Sequence, residues 1–94
     1  MQRERIKNPD RLKEYNLRND YGIGLAEYNE KLERQNRCCM ICNRVMASPH
    51  VDHDHGTGQV RDLLCRECNS VLGFIREDVE IARVVIAYLE RWKP

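Results

Sequence analysis

The sequence predicts a small α+β fold, a β-hairpin followed by a helix with further helices on either side. Three observations carry the prediction. Apolar residues recur at helical spacing in the first third of the chain and again at its end. Between these segments, residues 38–76 replace long charged side chains with glycines, histidines and short β-branched stretches. Two cysteine pairs, Cys39-Met40-Ile41-Cys42 and Cys65-Arg66-Glu67-Cys68, bracket that central segment with 22 residues between them.

Asn8-Pro9-Asp10 reads as a helix start, with proline in the first turn, and Leu12, Tyr15 and Leu17 form a partial apolar stripe toward Asp20. Tyr21-Gly22-Ile23-Gly24 interrupts it with two glycines. Leu25, Tyr28 and Leu32 then mark a more amphipathic second helix running through Gln35. Short strands are expected at residues 50–53 and 59–62, joined through Gly56-Thr57-Gly58, and a helix at residues 66–75. After Glu77 and Asp78, the residues Val79, Ala82, Val85, Ile86 and Leu89 predict the buried stripe of a last helix whose role is packing. Its acidic start (Asp78, Glu80) and basic end (Arg91, Lys93) suit the helix macrodipole. No repeat or linker divides the chain, so one domain is expected: a helical segment at 1–37, the central unit at 38–76 and the last helix at 77–94.

At 94 residues the chain is short, and a chain of this size buries only about 60–65% of its unfolded surface, so it needs a staple. Five cysteines is an odd number. There is no signal-like apolar stretch near Met1 and no run approaching the roughly 18 residues of a membrane span. These features argue against a secreted disulfide scaffold and for cysteines as metal ligands in a reducing cytoplasm. The net charge of +1 does not announce a nucleic-acid binder. Locally, Arg3, Arg5, Lys7, Arg11, Lys13 and Arg18 outnumber Glu4, Asp10 and Glu14, giving either a phosphate-contacting arm or a solvated helix face of mixed charge.

Paired C-x2-C turns facing each other suit a closed tetrahedral Zn²⁺ site of Cys39, Cys42, Cys65 and Cys68, with Zn–S distances of about 2.3 Å. A closed site is structural, and its binding free energy becomes folding free energy. Cys38 is left over and could exchange with Cys39 only through the less common C-x3-C spacing. A rival set, Cys39, Cys42, His53 and His55, would use histidines one residue apart, closer than is usual, and leave the second pair idle.

All three histidines and two acids lie in His50-Val51-Asp52-His53-Asp54-His55. Alternation in an extended strand puts Asp52 and Asp54 on the face of His50, and His53 and His55 on the other. A strand ending near His53 lets Asp52 and His53 converge on one cleft. A hard cation such as Mg²⁺ takes oxygen ligands, which Asp52 offers as a carboxylate and Asn69, just after the last cysteine, as an amide. His53, an imidazole, can take a proton from water. The same cluster also fits further metal ligation or a solvated hairpin, with Asp54 as a turn residue and His50 merely packed.

The motifs "CMIC" and "HVDHDHGTGQVRDLLCRECNSVLG", with a weaker "YGIGLAEYNEKLERQ", resemble the recombination endonuclease VII family, a zinc-containing branch of the HNH or His-Me finger nucleases, over roughly residues 21–76. The resemblance implies a ββα-metal unit in which Cys39, Cys42, Cys65 and Cys68 bind structural zinc while Asp52 and Asn69 bind a catalytic Mg²⁺ or Mn²⁺. It further implies His53 as general base, His55 at the scissile phosphate or assisting the metal, and His50 in a supporting role. The expected activity is metal-dependent hydrolysis of DNA phosphodiesters, leaving 5′-phosphate and 3′-hydroxyl ends, with Arg61, Arg66 and the basic amino-terminal segment as backbone contacts. The long carboxy-terminal extension of the founding member has no counterpart in this sequence, so nicking or cutting of duplex or branched DNA is expected rather than junction resolution as such. DNA is the expected partner, with no membrane association, the chain acting as monomer or homodimer in a bacterial or phage-infected cytoplasm. A non-catalytic zinc module that binds DNA or protein is the alternative.

Overall fold

The computed structural model describes residues 7–94. Its order is α1 (Pro9–Tyr21), α2 (Leu25–Arg34), β1 (His50–His53), β2 (Val60–Leu64), α3 (Arg66–Phe74) and α4 (Val79–Arg91). This is the expected α+β arrangement of a hairpin and helix between flanking helices. The second strand lies slightly later than the turn chemistry alone suggests, because pairing with β1 continues through Leu63 and Leu64.

Local chemistry explains the helix ends. The Asn8 side chain accepts the N–H groups of Asp10 and Arg11 at 2.9 and 3.2 Å, capping α1 ahead of Pro9. Gly22, at φ 77°, closes the helix by donating to the carbonyls of Leu17 and Arg18. Gly24 brings no capping side chain to α2. Glu14 of α1 supplies the cap instead, accepting the Leu25 N–H at 2.6 Å while paired with Arg18. The Lys13 ammonium also lies 4.1 Å from the Tyr28 ring centroid, so α1 grips α2 at two points. Lys13 and Arg18 of the expected basic arm are therefore committed to packing the helices together, and Arg3 and Arg5 lie outside the described residues.

Leu17, Ile23, Tyr28, Cys39, Met46, Val51, Leu63 and Leu64 form a small core between the first two helices and the hairpin. Leu63 is fully buried at its centre. One polar group joins this core: Gln35, at the end of α2, is buried. Its amide oxygen accepts the Leu63 N–H at 2.9 Å, and its NH₂ donates to the carbonyls of Leu63 and Cys38, each at 2.9 Å. Gln35 thereby acts as an extra rung on the free edge of β2 and ties α2 to the sheet.

The last helix differs from expectation. It forms where predicted and is capped by Asp78, which accepts from Glu80 and Ile81. Its stripe is nevertheless not buried: Val79, Val85, Ile86 and Leu89 are exposed, as are Val84, Tyr88 and Trp92, and only Ala82 is half-buried. The molecule is elongated, 53 × 28 × 20 Å, and the core gathered by α1, α2 and the hairpin does not extend to α4. No helix among the described residues is long and apolar enough to cross a membrane.

Two outcomes test this reading. Gln35→Leu leaves the Leu63 N–H unpaired in the core and its carbonyl with only the longer bond from Met40, so denaturant unfolding of the metal-loaded protein should show a loss of about 1–3 kcal/mol. The Glu14 carboxylate is held below its ordinary 4.5, first by the Leu25 N–H and then by Arg18. A lowered folded-state pKa stabilises above the unfolded value and loses that contribution as pH falls through the folded one. The melting-temperature gap between wild type and Glu14→Gln should be present at neutral pH and close below pH 4.5.

Candidate active site and metal centre

The two cysteine pairs meet because α2 ends in two consecutive left-handed residues, Asn36 and Arg37 (φ 53° and 60°), which turn the chain back toward the sheet. A tight turn follows, closed by Cys39 N–H to Arg44 O at 2.8 Å and Asn43 N–H to Cys39 O at 2.9 Å. Met40 N–H bonds to Leu63 O at 3.3 Å, docking this first knuckle against the end of β2. The second knuckle is the strand-to-helix junction itself. Cys65 caps α3, its sulfur accepting the Cys68 N–H at 3.4 Å.

The ligand atoms of Cys39, Cys42, Cys65 and Cys68 all lie within 4.8 Å of one another, with Cys42 and Cys65 sulfurs 3.8 Å apart. Tetrahedral coordination with Zn–S near 2.3 Å places sulfurs about 3.8 Å apart, so the cluster fits a zinc ion. N–H groups point at the sulfurs as they do around a metal-bound thiolate: Ile41 to Cys39 and the Arg44 guanidinium to Cys42, each at 3.4 Å. The Arg44 backbone N–H and then its side chain draw the Cys42 thiol down to about 6. Burial, followed by the neighbouring thiols, pushes Cys68 up to about 12. A divalent cation supplies the charge that lets all four ionise together.

Cys38 stays outside the cluster, its thiol donating to Asn36 O at 3.3 Å. His53 and His55 stay outside it too, which removes the rival four-ligand set.

The histidine and aspartate strand is shaped by an irregularity in the sheet. His50 pairs with Leu64 and Val51 with Leu63, but His53 pairs with Val60, so Asp52 faces both Arg61 and Asp62 across a bulge. The bulge turns Arg61 back onto Asp52. Arg61 Nε donates to Asp52 Oδ2 at 2.7 Å, and Nη2 donates to Oδ1 at 3.0 Å, to the His53 carbonyl at 3.3 Å and to Glu77 Oε1 at 2.7 Å. Glu77 Oε2 in turn lies 3.4 Å from His55 Nε2. Asp52 is buried, and the Arg61 guanidinium is held even further into its charged form, first by Asp52 and then by Glu77.

His53 and His55 share a face, as alternation predicts, with ring centroids 4.8 Å apart. Tyr21, from the end of α1, packs 5.5 Å from the His53 ring. Neither His53 nitrogen has a hydrogen bond among the described residues. Asp54 is a turn residue: its carboxylate accepts the N–H groups of Thr57 and Gly56, which hold its pKa down. His50 lies elsewhere, on a separate cleft with Arg44, Met46, Ser48 and Arg66 beside the cysteine cluster. Asn69 sits in the first turn of α3, half-buried, its N–H on Cys65 O at 3.0 Å and its side-chain amide without a partner among the described residues.

Arg61, expected as a backbone-phosphate contact, is committed to two carboxylates, whereas Arg66 is exposed and only loosely paired with Glu67 at 3.7 Å. Sequence reading gave Glu77 no part in the site. It lies 16 residues from Arg61 with a helix between, and no spacing rule links the two. Tyr21 is hidden similarly, standing in the sequence only at the start of the glycine-containing break after the first helix.

Removing the metal tests the centre. Wild type should carry one zinc per chain, and Cys65→Ser should load poorly. Chelation should abolish cooperative unfolding of the hairpin and α3 by circular dichroism. Retention of the folded signal in excess chelator would refute a structural role for the ion.

The recombination endonuclease VII family matches residues 14–91. The "Gene 59 protein" of Mycobacterium phage D29 is 43% identical over 75 residues, covering 76% of this chain and 46% of that protein. Its namesake in Mycobacterium phage L5 is 44% identical over 73 residues, covering 73% and 44%. The chain thus spans less than half the length of these relatives. No solved structure gives a significant match. With most of its length matched, and with the four cysteines and the histidine strand inside the match, the chain belongs to the recombination endonuclease VII family.

Proposed function

We propose that the protein is a metal-dependent DNA endonuclease of the His-Me finger type that hydrolyses one phosphodiester per active site. The observation that carries this reading is His53: an imidazole at the turn end of the hairpin, unbonded at both nitrogens among the described residues, adjacent in the strand to the buried carboxylate of Asp52. Membership in a family named for recombination endonuclease activity supports DNA as the substrate class.

His53 accepts a proton from water as the water oxygen bonds to phosphorus and the bond from phosphorus to the 3′ oxygen breaks, the departing oxygen taking up a proton from solvent, which leaves a 5′-phosphate and a 3′-hydroxyl. Tyr21 and His55 flank the imidazole and limit how its ring can turn. His55, exposed at the rim, is suited to meet the phosphate, and its contact with Glu77 orients it. Asp52 and Asn69 would hold Mg²⁺ or Mn²⁺, one carboxylate and one unpartnered amide oxygen being a donor set that a hard cation takes. When bound, the ion supplies electrostatic stabilisation to the reacting phosphate. Arg66, only loosely paired with Glu67, and the exposed Arg11 are placed to contact the DNA backbone, and His50 supports the strand from the cleft beside the cysteine cluster. The setting is a bacterial or phage-infected host cytoplasm, with the protein as monomer or homodimer.

One observation favours a second reading. Both Asp52 oxygens are engaged by Arg61, an arrangement that also suits a zinc-stabilised module that binds DNA or protein without cutting.

The two readings part in a nicking assay on supercoiled plasmid. With zinc content matched, wild type should nick in Mg²⁺ and not in chelator. His53→Ala should be slower by about 10²–10⁴-fold, the usual contribution of a general base. Equal nicking by the variant would remove His53 from its role, and binding without metal-dependent turnover by wild type would establish the non-catalytic module.

A further inference from the structure

The chain of contacts from Asp52 through Arg61 to Glu77 and His55 has a function that a simple ion pair lacks. Asp52 is buried, its side chain 11% exposed, and such a carboxylate must have a counter-charge or be expensive to keep ionised. Arg61 provides it through two bonds. A ligand role for Asp52 therefore demands that one oxygen be given up, and the two oxygens are not equivalent. Oδ2 is held by Nε, which has no other acceptor among the described residues. Oδ1 is held by Nη2 at 3.0 Å, and the same nitrogen already bonds Glu77 at 2.7 Å and the His53 carbonyl at 3.3 Å.

We infer that Glu77 is a positioning residue that retains Arg61 when Asp52 Oδ1 is released to a divalent cation. This inference rests on the reading of Asp52 as a metal ligand. Without Glu77, a cation arriving at Asp52 would meet a guanidinium whose only carboxylate was the one being shared, and like charges would face each other in a partly buried site. With Glu77 the guanidinium keeps a full ion pair, and only the bond from Nη2 to Oδ1 is lost.

The backbone around Glu77 suits this task. α3 ends with Arg76 N–H on Gly73 O and Glu77 N–H on Leu72 O, at 3.0 and 2.9 Å, a pattern in which the reversing residue is usually glycine. Here Arg76 and Glu77 are both left-handed, at φ 56° and 54°, a conformation that side-chain-bearing residues seldom adopt. The reversal delivers Glu77 onto Arg61, and His55 engages its second oxygen at 3.4 Å. The carboxylate is thereby held at both ends rather than swinging in solvent.

The test is Mn²⁺ affinity by calorimetry on zinc-loaded protein, in a cycle of wild type, Glu77→Gln, Arg61→Gln and the double variant. Asp52→Asn serves as the control for the site. Zinc content and circular dichroism establish that each variant is folded, and Arg61→Met replaces Arg61→Gln if the latter loads zinc poorly. The expected result is that Glu77→Gln weakens Mn²⁺ binding by about tenfold, as an unshared cation beside the ligand should. Arg61→Gln should not weaken it, and adding Glu77→Gln to Arg61→Gln should change little.

An unchanged affinity in Glu77→Gln would overturn the inference, whatever its melting temperature. So would an equal loss from Glu77→Gln in both backgrounds, which would mean that Glu77 acts on the ion directly. If wild type binds no Mn²⁺, or if Asp52→Asn binds it equally well, the metal-ligand reading of Asp52 fails and the inference with it. His53-dependent nicking together with an Arg61-independent effect of Glu77 would leave the nuclease standing and remove only this role.

Discussion

The meeting of four cysteine sulfurs is the constraint on which the rest of the structure depends. Among the described residues the core contains only eight buried apolar side chains, and one of them, Cys39, is itself a member of the sulfur cluster. One knuckle follows α2 and docks on the end of β2, and the other begins α3. Closing the cluster therefore sets the position of the hairpin relative to the helix that follows it. A metal ion held at that point would replace what a larger domain obtains from apolar burial, and would do so where the chain is least regular.

From this junction the candidate site is assembled in two directions. Asn69 comes with α3, one residue beyond Cys68, so its placement is a direct result of the second knuckle. Asp52 and His53 come with β1, whose register against β2 is interrupted by a bulge. The bulge folds Arg61 onto Asp52, and the reversal after α3 closes Glu77 over the same guanidinium. Three segments distant in sequence are thus held by one planar side chain whose forked donors reach two carboxylates at once.

The amino-terminal helices and α4 stand in different relations to this unit. Glu14 and Lys13 tie α1 to α2, and Gln35 ties α2 to the sheet edge, so the first helices are part of the core. α4 has strong helical signals and good capping, but its apolar residues remain exposed. Periodicity reports that a helix has an apolar face. It does not report whether this chain supplies the surface that covers it.

The local elements were legible in the sequence because their causes are local. Asn8 and Pro9 start α1, Gly22 ends it, and Asp78 starts α4, each through backbone groups within a few residues. The metal-binding cysteines were legible because coordination requires paired thiols at short spacing, and Asp54 as a turn residue because its partners are Gly56 and Thr57. What only the tertiary structure decided are contacts between residues far apart in the chain: Gln35 on Leu63, Tyr21 on His53 and Glu77 on Arg61. No pattern of spacing encodes these, because they depend on a one-residue bulge in the sheet and on left-handed turns at non-glycine residues, which arise only when the packed elements impose them.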